Sequence, residues 1–529
     1  MPAYAPSRRL ILGAAFAAAG AGLARAGDET LVETAQGRYR GRVENGVHVF
    51  KGMRYGASTQ GAGRFMPPRP AEAFAGVRDA LDYGDQAPQI PSALASTQAM
   101  SEDCLRINVW TPQAARTSRR PVMVWFHGGG FEAGSGASPV YDGTRMARRG
   151  DVVVCTINHR LNVLGFCDLS SADPDWARSG NVGYLDLIEA LKWVRANIEA
   201  FGGDPDNVTI YGQSGGGRKV SVCFAGSEAP GLFHKGIVQS GSHLLVQTPD
   251  QAATLSDALM KTLSAATPRA LQDVPLRDLI IAQRKVIGAA GYRFEPVMDG
   301  VSFSAHPFIP DAPRATAKVP MLVGTTQTEL SNQLGRDPTI YGIDETQLAG
   351  RLMRFLPPGD VAEAITVFKT SAPQATPAEL FFRITSWRSY IKNAVLMAER
   401  RDALNGADNP TWMYQLTWRS PAEGGRRLSQ HTLDLPFMFD NVDKVPHLTG
   451  PQSDATRAMT QMMAEAWLAF AHTGDPNHPG LPSWRSYDLK RRSTMLFDVP
   501  AQLENDPFRV ERQFMSRYEP VRATASDGA

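Results

Sequence analysis

NVTIYGQSGGGRKVSV, at residues 207–222, is the stretch that decides how this 529-residue chain folds. Residues 207–212 are rich in β-branched and aromatic side chains, a composition typical of a strand. GQSGG (212–216), the only G-x-S-x-G of the chain, follows directly. A serine held on a tight turn between a strand and a helix needs small residues two positions before and after it. The stretch therefore predicts a nucleophile elbow with Ser214 at its tip, in an α/β fold.

The segments around this stretch alternate between two patterns. Short runs rich in β-branched residues predict strands, and apolar residues at helical spacing predict helices. The predicted strands cover 121–126, 151–158, 207–212, 319–324 and 411–418, and the predicted helices cover 185–202 and 454–474. We therefore predict a mostly parallel central sheet flanked by helices, with long insertions. Without an internal repeat or low-complexity linker, residues 27–529 are predicted to form a single domain.

Composition and charge narrow the class of protein. The chain is 43% hydrophobic and 20% charged, which suits a large folded core and argues against disorder. Its formal net charge is +2, without the basic run that a nucleic-acid partner would require. Four cysteines lack the paired spacing of a zinc site, and we expect mainly buried thiols, with one disulfide left open. We expect no nucleic-acid partner, no metal and no cofactor.

Residues 1–26 have the pattern of an export signal. Arg8 and Arg9 precede a run of apolar and small residues, which ends in a small-x-small site at residues 24–26. This is typical of a twin-arginine signal, so we expect a periplasmic or secreted protein whose mature chain begins at Gly27. The alternative is a membrane anchor, but the apolar run is short and rich in Gly and Ala. No later segment is long and apolar enough to span a membrane.

A serine nucleophile needs a base, and the base needs an acid to orient it. In this type of sheet, the acid and then the histidine follow the serine along the chain, each on a loop after a strand. Glu329 follows the predicted strand 319–324, and His431 follows the predicted strand 411–418. We predict that Glu329 and His431 complete a triad with Ser214. His447 stays open as the alternative base.

HGGGF (127–131) follows another predicted strand and has three consecutive glycines. Attack on an ester carbonyl forms an oxyanion, which backbone N–H groups stabilise, and glycine lets the substrate approach those groups. We therefore predict that Gly129, Gly130 and Gly215 donate to the oxyanion. The alternative is a phosphate-binding loop, but the chain lacks both G-x-x-x-x-G-K-[ST] and a dinucleotide loop with its acidic partner. Near this site, Phe131, Gln213 and Arg218 are candidates for substrate contact.

Together these motifs resemble the type B carboxylesterase family, which includes the cholinesterases, from about residue 30 to residue 520. The blocks that carry the resemblance are SEDCLRINVWTP (101–112), VMVWFHGGGFEAGS (122–135), INHRLNVLGF (157–166), the run 180–217, LFHKGIVQSGS (232–242) and TGDPNHPGLPSWRSYD (473–488). The resemblance implies an α/β-hydrolase fold and carboxylic-ester hydrolysis without a cofactor. Carried over by position, it implies Ser214 as nucleophile, Glu329 as acid and His431 as base. The oxyanion donors fall on Gly129, Gly130 and Gly215.

Some positions depart from the family pattern. Gln213 and Gly215 stand where the family usually has Glu and Ala, and Arg218 and Lys219 stand where it usually has small residues. A positive charge near a helix N-terminus opposes the helix dipole. We therefore expect Arg218 and Lys219 either to pair with nearby carboxylates or to favour substrates that carry an acidic group.

The resemblance also places a disulfide between Cys104 and an upstream cysteine. No cysteine precedes Cys104, and the expected partner position reads Ala87. We therefore expect the loop between Ala87 and Cys104 to be unpinned.

The predicted reaction is two-step acyl transfer from a small-molecule ester to water by an exported bacterial esterase. An acyltransferase or lactonase could use the same acyl-enzyme, and a non-catalytic cholinesterase-like binding protein is the alternative from another class. An intact set of Ser214, Glu329 and His431 argues against the binding protein. We expect a monomer or a weak homodimer.

Overall fold

A computed structural model describes residues 29–91 and 97–520 of the chain. The predicted export signal at 1–26 lies outside these residues. In the part that is described, no helix combines the length and the apolar character needed to cross a membrane.

The described part of the chain contains thirteen strands, which join in one sheet. These strands are β1 (Glu29–Thr34), β2 (Gly37–Glu44), β3 (Val47–Arg54), β4 (Val77–Asp79), β5 (Arg106–Thr111), β6 (Arg120–Phe126), β7 (Val153–Ile157), β8 (Gly203–Gln213), β9 (Lys235–Gln239), β10 (Met321–Thr326), β11 (Thr411–Leu416), β12 (Ser493–Phe497) and β13 (Gln502–Asn505).

The α-helices lie between these strands and after the last one. They are α1 (Thr144–Gly150), α2 (Asn162–Phe166), α3 (Val182–Asn197), α4 (Gly215–Ala225), α5 (Pro249–Thr262), α6 (Pro268–Gln272), α7 (Leu276–Ala290), α8 (Ser331–Leu334), α9 (Glu345–Leu352), α10 (Val361–Ser371), α11 (Pro377–Ser386), α12 (Lys392–Asn405), α13 (Leu435–Met438), α14 (Pro446–Thr449), α15 (Asp454–Thr473) and α16 (Arg509–Met515).

The sheet is mostly parallel, which confirms the predicted fold class. Its strand order is β1-β2-β3-β5-β7-β6-β8-β9-β10-β11-β12-β13, with β4 beside β2. The run from β7 to β12 is parallel, and the pairs outside it along this order are antiparallel. Long helical insertions separate β9 from β10 and β10 from β11. Because the carboxyl ends of parallel strands share one edge, the loops after β6, β8, β10 and β11 meet there.

Strand β6 shows why the sheet must be covered on both faces. Its alternate residues Val122, Val124 and Phe126 belong to one buried apolar cluster, and Met123 and Trp125 belong to another. Helices α3 and α4 pack on the first face, and helix α15 packs on the second. A strand that is buried on both faces has a continuous apolar run, which is the pattern by which the sequence predicts it.

The four cysteines are buried and free. This burial agrees with the expectation of buried thiols. The expectation of an unpinned loop before Cys104 was wrong for the ends of that loop. Gln86 N donates to Ala99 O at 2.9 Å, and Ser101 N donates to Gln86 O at 3.1 Å. Backbone hydrogen bonds thus hold the two ends of the loop together without a disulfide.

Candidate active site

Ser214 lies where the sequence predicts it, between the last residue of β8 and the first residue of α4. Its backbone has φ +57° and ψ −122°, which is a strained conformation for a residue with a side chain. The Ser214 N–H donates to Gln239 O, at the end of the neighbouring strand β9, at 2.8 Å. The turn is therefore tied to the sheet, and it holds the serine at the carboxyl edge.

Two glycines make this turn sterically possible. A Cβ at Gly216 would lie 1.9 Å from Phe126 O, at the end of β6. A Cβ at Gly212 would lie 2.4 Å from the carbonyl carbon of Gly216. Both separations are far below van der Waals contact, so the elbow requires glycine at each of the two positions that the motif specifies.

The loops after β10 and β11 run side by side. Thr328 N donates to Ser429 O at 3.1 Å, and His431 N donates to Glu329 O at 3.3 Å. This parallel pairing lies beyond the ends of β10 and β11, and its register is shifted from that of the strands. Residues that are about a hundred positions apart in sequence are brought together in this way.

Glu329 and His431 form a buried hydrogen-bonded pair. His431 Nδ1 contacts Glu329 Oε2, and Thr326 N donates to Glu329 Oε1 at 2.8 Å. The exposed fractions of Glu329 and His431 are 0% and 4%. With the proton on Nδ1 held by the carboxylate, Nε2 is the nitrogen left to accept a proton.

Gln213 connects this pair to the elbow. Its side-chain Nε2 lies 3.1 Å from His431 Nε2 and 3.4 Å from His431 Nδ1. The imidazole therefore lies against the residue that precedes Ser214.

The alternative base, His447, lies exposed on the short helix α14, away from these contacts.

The glycine-rich loop after β6 has two residues with positive φ, Gly129 at +94° and Gly130 at +64°. Its turn is closed by hydrogen bonds from Glu132 N and Ala133 N to Gly129 O, at 3.2 and 3.0 Å. Among the residues that the structure covers, the N–H groups of Gly129 and Gly130 donate to no protein acceptor. They are therefore available to a ligand.

The candidate substrate contacts have different surroundings. Phe131 is buried, with ring centroids 5.1 Å from Phe166 and 5.4 Å from His243. Gln213 is also buried, against His431. Arg218 is half-buried, and no ion pair to it occurs in residues 29–91 or 97–520.

Lys219 corrects one expectation from the sequence. Its side chain is 0% exposed, so it cannot reach a substrate, and no carboxylate in the described chain pairs with it. Its Nζ donates to His127 O at 2.8 Å instead. Burial first, and then the charge of Arg218, lower the pKa of the Lys219 amine well below its usual value.

Two buried histidines lie beneath the glycine-rich loop. The rings of His127 and His159 stack at 5.0 Å with an interplanar angle of 19°. Burial is the main cause that lowers the pKa of each imidazole well below its usual value. Both rings are therefore neutral at neutral pH.

Asp434 is a buried carboxyl group near the pair that the sequence analysis did not find. Its Oδ2 accepts from Gln239 Nε2 at 2.7 Å and from the Tyr414 hydroxyl at 3.0 Å. Burial raises the pKa of Asp434 to about 6, and the nearby charge of Glu329 also raises it. In the sequence, only its position three residues after His431 connects Asp434 with the site. Its hydrogen-bond partners come from β9 and β11, so no local pattern indicates them.

Tyr390 is a second residue that the sequence analysis missed. Its ring centroid lies 5.1 Å from that of His431. Tyr390 comes from the helical insertion between β10 and β11, which carries no motif that would connect it to the site.

In the described segments, no three His, Cys, Asp or Glu side chains are grouped closely enough to hold a metal ion.

Residues 28–515 match the carboxylesterase family. The chain belongs to this family. Para-nitrobenzyl esterase from Bacillus subtilis (strain 168) is 34% identical over 499 residues, which cover 91% of this chain and 98% of that protein. Liver carboxylesterase from Sus scrofa is 31% identical over 508 residues, which cover 87% of this chain and 88% of that protein.

Solved structures of carboxylesterases have the same fold. A carboxylesterase from Geobacillus stearothermophilus matches with a TM-score of 0.79 and 36% identity, covering 92% of this chain and 100% of that one. The match confirms the α/β-hydrolase fold that the resemblance implied. The protein is accordingly a carboxylic-ester hydrolase.

Gly215, the first residue of α4, lies against the glycine-rich loop. A Cβ at residue 215 would lie 2.2 Å from Gly130 N and 2.3 Å from Gly130 O. The glycine-rich loop thus occupies the space that an alanine side chain would need. A methyl group at position 215 would therefore clash with the backbone of Gly130 unless the loop moved.

Proposed function

We propose that this esterase hydrolyses small-molecule esters through a triad of Ser214, Glu329 and His431. The observation that carries the proposal is the buried hydrogen bond between Glu329 and His431 Nδ1, with the imidazole packed beside the residue before Ser214. The strained turn at Ser214, at the carboxyl edge of the sheet, supports its role as nucleophile.

In the proposed first step, His431 Nε2 takes the proton of Ser214 Oγ as that oxygen attacks the ester carbonyl carbon. Glu329 stabilises the imidazolium that forms, and the N–H groups of Gly129, Gly130 and Gly215 hold the oxyanion. The C–O bond to the alcohol then breaks, and His431 gives the proton to the departing oxygen. This step leaves an acyl-enzyme on Ser214.

In the proposed second step, water attacks the acyl-enzyme. His431 takes a proton from the water, and the same N–H groups hold the second oxyanion. The bond between the acyl carbon and Ser214 Oγ breaks, the serine regains its proton from His431, and the carboxylic acid leaves. No cofactor or metal takes part in this sequence.

A burst assay with p-nitrophenyl butyrate tests the proposal. We expect about one equivalent of p-nitrophenol per enzyme before the steady state if deacylation is slower than acylation. Butyric acid should accumulate as the product even when an added alcohol is present. Transfer of most butyryl groups to the alcohol would indicate the acyltransferase instead, and no release of p-nitrophenol would indicate a binding protein.

We further propose that Phe131, Gln213 and Arg218 contact the substrate. Phe131 adjoins the predicted oxyanion donors, Gln213 adjoins Ser214, and the Arg218 N–H donates to Ser214 O at 3.0 Å. The Arg218 side chain is half-buried and pairs with no carboxylate of the described chain, so it is available to an acidic group on the substrate.

The test for Arg218 compares a mono-ester of a dicarboxylic acid with its neutral analogue. In the wild type, kcat/KM should favour the acidic ester, and the preference should fall toward unity in Arg218→Ala. Arg195→Ala, which removes an exposed arginine of α3, is the matched control and should keep the preference. An unchanged preference in Arg218→Ala would contradict this role.

We also propose that the protein is exported and works as a monomer or weak homodimer. The twin arginines at positions 8 and 9 and the small-x-small site at 24–26 support export. Intact mass of the exported protein should show a chain that begins at Gly27, and replacement of both arginines by lysine should prevent export. Light scattering at low and high protein concentration tests the oligomeric state.

A further inference from the structure

Lys219 is a fully buried amine beside the active site that the proposed reaction does not use. It lies in the second turn of α4, five residues after Ser214, and its exposed fraction is 0%. Its Nζ donates to His127 O at 2.8 Å. His127 is the first residue after β6 and directly precedes the glycines of the oxyanion loop.

Burial of this amine is unfavourable, since no carboxylate of the described chain compensates for the lost hydration. Burial and the charge of Arg218 lower the pKa of the amine well below its usual value, which favours the uncharged form. An uncharged amine still donates hydrogen bonds. A methionine or leucine would fill the same space without this desolvation, so packing alone does not account for the lysine.

His127, whose carbonyl oxygen accepts from Lys219, is the residue directly before the glycines of the oxyanion loop. The His127 ring is fixed by stacking on His159, and its Nδ1 lies 2.8 Å from Gly128 O. Lys219 fixes the carbonyl oxygen of the same residue. Lys219 therefore fixes the peptide between His127 and Gly128, and the His127 ring fixes the next peptide, between Gly128 and Gly129.

Glycines after this peptide cannot fix their own conformation, because they lack the side chains that restrict φ and ψ. Gly129 and Gly130 both have positive φ, and their N–H groups must point at the oxyanion rather than away from it. An anchored peptide before them limits the conformations that the loop can adopt.

We propose that Lys219 is a positioning residue, whose hydrogen bond to His127 O aims the N–H groups of Gly129 and Gly130 at the developing oxyanion. The inference rests on the proposed function. It predicts that Lys219 affects the transition state more than substrate binding, because the oxyanion forms only after the serine attacks.

The test compares Lys219→Met and Lys219→Leu, which keep the volume and remove the donor, with Lys219→Gln, whose amide can still donate. With p-nitrophenyl butyrate, we expect Lys219→Met to lower kcat about 10- to 100-fold with KM nearly unchanged, less than the loss on removing an oxyanion donor outright. Affinity for a trifluoromethyl ketone, which forms an oxyanion adduct on the serine, should fall by a similar factor. Lys219→Gln should recover part of both.

Lys235→Met is the matched control. Lys235 is also a buried lysine whose pKa burial lowers, to about 8, but it lies at the start of β9, at the opposite end from the active site. This variant should keep the wild-type kcat. It shows how much of any change comes from removing a buried amine as such.

Three results would overturn the inference. They are an unchanged kcat in folded Lys219→Met or Lys219→Leu, a loss matched by Lys235→Met, and a rise in KM without a fall in kcat. Either apolar variant is sufficient if the other does not fold. A Ser214→Ala variant that keeps full activity would refute the proposed function itself, whereas an inactive Ser214→Ala with an unaffected Lys219→Met would refute only this inference.

Discussion

Ser214 has a backbone conformation that is unfavourable for a residue with a side chain. The surrounding strands and glycines hold it in this conformation. Its N–H donates to Gln239 O, Gly216 packs against the end of β6, and Gly212 packs against Gly216. Strain of this kind persists only where neighbouring structure enforces it. The strain therefore supports a reaction at this residue.

Replacement of Ser214 or His431 by alanine should each lower kcat for p-nitrophenyl butyrate by about 10⁴-fold or more, because triad members act as a unit. Glu329→Gln should have a smaller effect, since it keeps a hydrogen-bond acceptor but loses the charge that stabilises the imidazolium. Steady-state kinetics on the three purified variants provides the measurement.

His447→Ala is the control for this set, because His447 is exposed on α14 and should not affect kcat. Near-wild-type turnover in Ser214→Ala would exclude that serine as the nucleophile. A severe loss in His447→Ala combined with an active His431→Ala would show that the other histidine is the base.

Asp434 should make stability depend on pH in a specific direction. Burial raises its pKa from 3.8 to about 6, so between these values the folded state holds a proton that the unfolded state has released. The free energy of unfolding must then fall as the pH rises through this window. The two-unit shift corresponds to about 3 kcal/mol, and this contribution is present below pH 4 and lost above pH 6.

Urea unfolding at pH 4 and pH 7 measures this effect as the difference between wild type and Asp434→Asn. The wild type should lose about 2 kcal/mol relative to the variant between the two pH values, because the unfolded carboxyl is already partly protonated at pH 4. Asp257→Asn, at an exposed position of α5, should show no such change. Parallel pH profiles for wild type and Asp434→Asn would contradict the assignment.

Single residues differ in how well the sequence predicts them. Ser214 lies in a local motif, and Glu329 and His431 follow strands that the sequence also indicates. Asp434 was missed and Lys219 was assigned wrongly, because their surroundings depend on burial and on partners from other parts of the chain. The side chain of Lys219 turns into the core toward His127 O, and no local pattern predicts this direction.

At the scale of elements, the elbow and the glycine-rich loop act as one unit. The loop after β6 packs directly on the first residue of α4, where a Cβ would lie 2.2 Å from Gly130 N. The Gly129 and Gly130 amides therefore depend on what stands at position 215. A change in one element is transmitted to the other through a backbone contact.

Gly215→Ala should lower kcat about tenfold or more with little change in KM, because the methyl group displaces Gly130 and its N–H from the oxyanion. Gly288→Ala is the control, since residue 288 lies in the helix α7 and a Cβ there meets nothing within 4 Å. The control should keep kcat. Equal activity of Gly215→Ala and wild type would show that the loop adjusts without loss.

Five of the seven strands of the parallel run were predicted, and the buried parallel strands β9 and β12 were not. Predicted strand 121–126 corresponds to β6, 207–212 lies within β8, and the predicted helix 454–474 corresponds to α15. The antiparallel strands at the sheet edges were not predicted. Strands β1 and β2 carry mixed polar and apolar residues, since their side chains are partly exposed, and such runs give a weak signal.

At the scale of the whole molecule, one edge of one sheet collects the proposed machinery. The loops after β6, β8, β10 and β11 supply the oxyanion loop, the nucleophile, the acid and the base. The hydrogen bonds between the parallel strands keep these loops at neighbouring positions on that edge. The family blocks lie in and beside these strands, which is why they indicated the fold. The prediction of a single domain over 27–529 stays a prediction.

The molecule should not depend on disulfides for its stability. All four cysteines are buried and free, and burial raises the pKa of each thiol. The melting temperature should therefore be the same with and without dithiothreitol, and the folded protein should react slowly with iodoacetamide. A clear drop in melting temperature under reducing conditions would reveal a disulfide.

The central claim is that Ser214 is the nucleophile of this esterase, and covalent labelling tests it most directly. The enzyme is treated with diethyl p-nitrophenyl phosphate, digested, and analysed by mass spectrometry. We predict one diethylphosphoryl group per chain, on the peptide that contains Ser214, with loss of activity in proportion to labelling and no label in Ser214→Ala. Full inactivation with the label on another residue, or equal labelling of Ser214→Ala, would contradict the account.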